Sequence, residues 1–181
     1  YVIWFKGPNA GQFVLTMGGY HPDFHRDGYP EVPRLGINWS VSSAIVITAG
    51  GYFALTSEAV MAGGDFEASA RFGPAWAEVK FGAHGIVYFD PFHYKVSVYA
   101  SIAAGVTIDT WLFGEVTISI SIGARIEVEG PDFHGKASFE VGPVELEVEF
   151  GSSAKHIDPP LSPTAFIDKY LEAATGGAAQ A

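Results

Sequence analysis

The sequence contains no cysteine, which excludes disulfides, thiolate nucleophiles and cysteine zinc sites. Cations are scarce as well: ten Lys and Arg stand against twenty Asp and Glu, for a formal net charge of −10. That imbalance repels phosphate backbones and removes the main source of nucleic-acid affinity, so no nucleic-acid partner is expected. It also leaves no basic patch for anionic lipid head groups, although it does not oppose insertion into a bilayer core. No run of about 18 uncharged apolar residues occurs, so no helical membrane span is expected. The opening Tyr1-Val-Ile-Trp-Phe-Lys6 lacks the basic start and apolar stretch of a signal peptide, which places the expected N-terminus of the protein elsewhere.

What is present points to a folded chain. Hydrophobic residues make up 48% and charged residues only 17%, enough apolar surface to offset the entropy of ordering. The 181 residues suit one domain, since single β-domains of about 150 to 250 residues are ordinary. A cysteine-free, Gly-rich and acidic composition suits export and a bacterial origin.

Pattern separates three zones. Residues 1–64 mix short strands with turns: Gly7-Pro8-Asn9-Ala10-Gly11 precedes a strand from Gln12 to Met17, and further strands are predicted at Leu35 to Val41 and Ile45 to Leu55. Between them, Gly18 to Pro33 carries Gly, Pro and Asp at a density that no helix interior or central strand tolerates. Thr56 to Gly64 reads as one capped helical turn closed by glycines. The pairs Gly18-Gly19, Gly50-Gly51 and Gly63-Gly64 lack the Lys and following helix of a phosphate loop and read as bends or bulges.

Residues 65–151 form the clearest zone. Val96, Val98, Ala100, Ile102, Ala104, Val106 and Ile108 alternate with polar or small residues, and Val116, Ile118, Ile120, Ile122, Ala124, Ile126 and Val128 alternate with Thr117, Ser119, Ser121, Gly123, Arg125, Glu127 and Glu129. That is the period of a strand, since a helix would scatter these residues around its axis. Shorter runs at Asp65 to Phe72, Ala77 to Phe89, Lys136 to Val141 and Val144 to Phe150 are separated by Gly-Pro, Asp-Pro or Gly-Pro-Asp turns. The apolar face is rich in small residues such as Ala68, Ala70, Ala83 and Ala100, and a second sheet is its expected cover. If Val116 to Ile122 are buried in that way, Ile120→Asp unfolds the domain by placing an unpaired charge in its core. Residues 152–181 read as a linker, a short amphipathic helix capped at Ser162 with Phe166, Ile167, Tyr170 and Leu171 on one stripe, and a small-residue tail.

Three sets of residues carry chemistry. His21, Asp23, His25 and Asp27 recur at every second position, and imidazole and carboxylate are common ligands of divalent metals. Pro22 and Gly28 bend that segment, which favours a turn-forming surface loop over a metal site. Asp90-Pro91-Phe92-His93 and Pro131-Asp132-Phe133-His134 recur between strands and read as hairpin tips. The acidic ladder Glu127, Glu129, Glu140, Glu145, Glu147 and Glu149 could bind calcium or serve as an acid and base pair. A solvated sheet face that pairs with Arg71, Lys80, Lys95, Arg125 and Lys136 is the stronger reading. There is no Gly-x-Ser-x-Gly elbow, and Ser97, Ser101, Ser119 and Ser121 sit inside regular strands, so no catalytic residue is assigned.

The segments Gly18-Gly19-Tyr20-His21-Pro22, Tyr29-Pro30-Glu31-Val32-Pro33-Arg34-Leu35-Gly36 and Gly51 to Gly64 resemble those of an uncharacterised bacterial family, a domain of unknown function. The resemblance runs from about Gly11 to the region of Leu171 and is most specific around Ala54 to Gly64. It implies a terminal portion of a much longer β-rich bacterial protein and brings no established activity.

The expectation is therefore a mainly β fold: an antiparallel meander of amphipathic strands, as a curved sheet, sandwich or barrel, with a short C-terminal helix. Its leading function is a non-catalytic structural or interaction module, an amphipathic β-wall that shields cargo, lipid or a neighbouring domain, with the rest of a parent polypeptide or assembly as partner. Aromatic residues near strand ends, as at Tyr88-Phe89 and Phe92-His93-Tyr94, keep a membrane-inserting barrel or pore as an alternative. A divalent-metal module or enzyme built on His21, Asp23 and His25 is another. No other cofactor is expected.

Overall fold

The computed structural model describes residues 1–111 and 114–152. The described strands lie in one compact unit, Tyr1–Gly151; the C-terminal helix expected after Ser162 lies outside the described residues. This unit is mainly β and contains ten strands, β1 (Val2–Ile3), β2 (Phe13–Met17), β3 (Leu35–Ser40), β4 (Ile45–Thr56), β5 (Ala59–Phe72), β6 (Ala75–Phe89), β7 (Phe92–Thr110), β8 (Gly114–Gly130), β9 (His134–Val141) and β10 (Val144–Gly151).

All ten belong to one sheet in the order β1-β2-β4-β5-β6-β7-β8-β9-β10, with β3 also paired to β4. Every pairing is antiparallel. From β4 onward each strand pairs with the next in sequence, so tight turns such as Gly73-Pro74, Asp90-Pro91 and Gly142-Pro143 suffice as connections. The first and last strands do not pair with each other, so the sheet is not closed into a barrel. No second sheet faces it among the described residues, which corrects the expectation that one would cover the apolar face.

Two local readings change in the structure. Thr56 to Gly64 is not a helical turn. The hydroxyl of Thr56 accepts hydrogen bonds from the backbone N–H of Glu58 at 3.1 Å and of Ala59 at 2.9 Å. This is the cap geometry the residue types suggest, but it closes a hairpin and the chain leaves it as β5. The alternation of Val60 and Ala62 with Ala59 and Met61 then follows the strand period. Of the glycine pairs read as bends or bulges, Gly18-Gly19 turns the chain after β2 with both residues at positive φ, whereas Gly50-Gly51 and Gly63-Gly64 stand inside the β4–β5 ladder, with Gly51 opposite Gly64 and Gly50 opposite Asp65. A Cβ on Gly64 would lie 2.6 Å from the carbonyl oxygen of Gly50, so glycine here permits close backbone approach.

The buried core is small and sits at one end of the sheet. Tyr52, Ala54, Ala59, Met61 and Ile86 from β4, β5 and β6 pack with Phe24, and Tyr20, Tyr29 and Tyr88 close around them. By register these strand residues share a face with Asp65, Glu67, Lys80 and Lys95. The segment between β2 and β3 therefore covers part of the polar face.

Candidate functional site

The segment 18–34 crosses that face as an irregular lid. Its aromatic residues supply the packing, with Trp4 stacked on Tyr29 at a ring separation of 4.9 Å. Polar ties hold its ends. The backbone N–H of His21 donates to Met61 Sδ at 3.2 Å, Arg34 Nη1 donates to the carbonyl of Gly18 at 3.0 Å, and Arg26 pairs with Glu58 at 2.9 Å. Lys95 Nζ donates to Asp23 Oδ2 at 2.7 Å and so fastens the lid to β7.

The four alternating residues of the metal expectation are not brought together. His21 points inward, 5% exposed, and its Nδ1 accepts the backbone N–H of Asp23 at 3.1 Å. Asp23 is engaged by Lys95, which holds its carboxyl below the usual range. His25 and Asp27 are exposed. Among the described residues no three His, Asp or Glu side chains converge as a ligand set. The two turns of the segment break the extended geometry that would have put them on one side.

Beside the lid lies a hydrogen-bonded row that sequence reasoning missed. Asp65 Oδ1 accepts from His84 Nε2 at 2.9 Å and from the Tyr99 hydroxyl at 2.7 Å, and Tyr52 Oη lies 3.3 Å from His84 Nδ1. With Nε2 donating to the carboxylate, Nδ1 is left to accept the Tyr52 proton. The rings of Tyr52, His84 and Tyr99 are nearly parallel in sequence, and the Arg34 guanidinium lies 3.9 Å from the Tyr52 ring centroid. Glycine makes the room: a Cβ on Gly63 would come within 2.7 Å of the Ala83 carbonyl, His84 Nδ1 and the Tyr52 hydroxyl. Burial pushes the Tyr52 phenol up to about 12. Burial and the hydrogen bond to Asp65 do the same for Tyr99, also to about 12. Both phenols stay protonated at neutral pH and act as donors, which suits a rigid network better than a nucleophile. The signal was latent in the polar face of the strands, but only the register Gly63 to His84 and Gly82 to Tyr99 assembles it.

The opposite face is the more extensive feature. By register it carries Phe13 and Leu15 from β2, Leu35, Ile37 and Trp39 from β3, and then every second residue of β4 to β10 as far as Leu146 and Val148. No Asp, Glu, Lys, Arg or His of the described strands lies on it; their charges all fall on the other side. It is also open. Ile118 is 69% and Ile120 61% exposed, and Leu35, Ile37 and Trp39 of β3, Ile102 and Ile108 of β7, and Val144, Leu146 and Val148 of β10 are exposed too. Along β7 the polar residues Lys95, Ser97, Tyr99 and Ser101 are half-buried, while Val96, Val98 and Ile102 are exposed. The sequence marked the right face as apolar, but the structure covers the other one.

A model described as a family of unknown function, DUF6603, matches residues 1–180. Comparison with curated proteins and with solved structures gives no match.

Proposed function

Since the chain belongs to DUF6603, a family of unknown function, we propose its role from its geometry: a non-catalytic interaction module whose uncharged sheet face covers an apolar surface within a larger bacterial assembly. One observation carries this reading. A continuous apolar face spans the sheet without a single charge and is left open to solvent. Monomeric soluble proteins seldom expose contiguous apolar patches beyond a few hundred Å², and larger ones mark protein or membrane interaction sites. The charged face is covered in part by the lid, and its acidic ladder with the cross-strand pairs lies in the part beyond it.

A membrane-inserting assembly is the second reading, and strand length favours it. A transmembrane strand needs about 9–11 residues, and β5 to β8 have 14, 15, 19 and 17, each apolar on one side and polar on the other. Light scattering and liposome flotation of the detergent-free chain separate the two readings. A species that stays at the bottom of the gradient and self-associates or binds a hydrophobic dye supports the protein-covering module. Flotation with liposomes moves the membrane reading to first place. A monodisperse chain that neither floats nor binds dye overturns both.

A further inference from the structure

The sheet ends on β10, whose eight residues pair with β9 on one side only. Its other side presents a row of backbone N–H and C=O groups without strand partners among the described residues, which is a template for another strand. Two features of the side chains decide which strand fits.

The first is charge. Glu145, Glu147 and Glu149 line the polar side of β10, and Glu140 of β9 stands directly opposite Glu145. Lys136 satisfies one of these carboxylates, with Nζ 2.6 Å from Glu147. No cation of the described residues lies within ion-pair distance of Glu140, Glu145 or Glu149. Like charges directly opposite one another destabilise a sheet, so the edge is left with a demand for positive charge at alternate positions. The same carboxylates exclude a second copy of β10. In any antiparallel register that keeps the apolar faces on one side and overlaps most of the strand, glutamate falls opposite glutamate.

The second feature is the apolar side of the same strand. Val144, Leu146 and Val148 are exposed on the uncharged face, so an incoming strand must be apolar at the positions between its cations.

We propose that β10 is a docking edge that receives a β-strand from a partner polypeptide in which Lys or Arg alternates with apolar residues. Its cations stand opposite Glu145, Glu147 and Glu149 and relieve the Glu140–Glu145 repulsion. Its apolar residues extend the uncharged face beyond Leu146 and Val148. Backbone hydrogen bonds give the affinity and the alternation gives the specificity.

The test is fluorescence anisotropy of the full chain with a labelled octapeptide of four Lys-Val repeats. Three comparison peptides accompany it: one of four Glu-Val repeats, one of the same Lys and Val composition in block order, and one N-methylated at alternate amides. The expected result is that the alternating basic peptide binds and the other three bind at least about tenfold more weakly. The double variant Glu145→Gln, Glu149→Gln, which keeps the Lys136–Glu147 pair and puts no cation opposite Lys136, should weaken the basic peptide by a similar factor while its circular dichroism stays unchanged. The proposal fails if the basic peptide does not bind. Equal affinity for the block-ordered or N-methylated peptide also overturns it, since attraction to a charged surface would then account for the binding. Unchanged affinity in the double variant has the same force.

Discussion

At the scale of single residues, His21 is the side chain whose surroundings constrain it most. It is the lid residue buried against the sheet, with Asp23, His84, Lys95 and Arg34 as its charged and titratable neighbours. Burial lowers its pKa from 6.5, against a smaller opposing effect of Asp23. The fold thus favours the neutral ring, and the unfolded chain takes up the proton first as pH falls. The stability this group contributes is complete above 6.5 and declines as pH drops toward its folded value. Asp23 behaves in the same direction in a lower window: its hydrogen bond from Lys95 lowers its pKa from 3.8, so its share is lost only in more acid solution. That pair is half-exposed and adds less than about 1 kcal/mol, so it does not compete with His21 near neutrality. Thermal unfolding between about pH 7.5 and 5.5 should show a falling midpoint in the natural chain and a flatter profile in His21→Asn, whose amide oxygen still accepts the Asp23 N–H. Equal slopes in the two proteins would remove His21 as the cause.

Among the elements, the β4–β5 hairpin shows how one hydroxyl decides a local structure. Thr56 is fully buried, accepts two backbone N–H groups and donates to the carbonyl of Ala59 at 3.1 Å. Thr56→Val keeps the shape and removes all three bonds, leaving buried backbone groups without partners. The expected cost is about 1–3 kcal/mol, read as a lower midpoint in urea with the slope unchanged. The residue types in Thr56-Ser57-Glu58-Ala59 were legible as a cap. What they cap was not, because a hydroxyl serves a hairpin and a helix start by the same two hydrogen bonds, and the β4–β5 and β5–β6 pairings choose between them.

For the whole molecule, the two faces predict opposite responses to substitution. Met61, 1% exposed, lies in the only buried cluster of the described residues, so Met61→Ala should cost about 2–5 kcal/mol. Ile120 belongs to the sequence pattern that announced a core, yet it is 61% exposed. Ile120→Asp should therefore leave the unfolding midpoint of the isolated chain almost unchanged while reducing self-association or dye binding. Loss of folding in Ile120→Asp would show that the apolar face is already covered in solution. This reverses the consequence drawn from periodicity alone, in which the same substitution unfolds the domain.

The sequence by itself determined a mainly β chain of antiparallel amphipathic strands, with turns at the Gly-Pro and Asp-Pro steps and an uncharged face opposite a charged one. Those properties reside in neighbouring residues, in period-two alternation and in the φ restrictions of Pro and Gly, and they need no knowledge of distant contacts. Only the tertiary structure decided that the described strands join in one open sheet and that the lid packs on the polar face. Register alone, through pairs such as Gly63 with His84 and Gly82 with Tyr99, joined Tyr52, Asp65, His84 and Tyr99. Alternation states that one side of a strand avoids water; what covers that side depends on where every other segment lies.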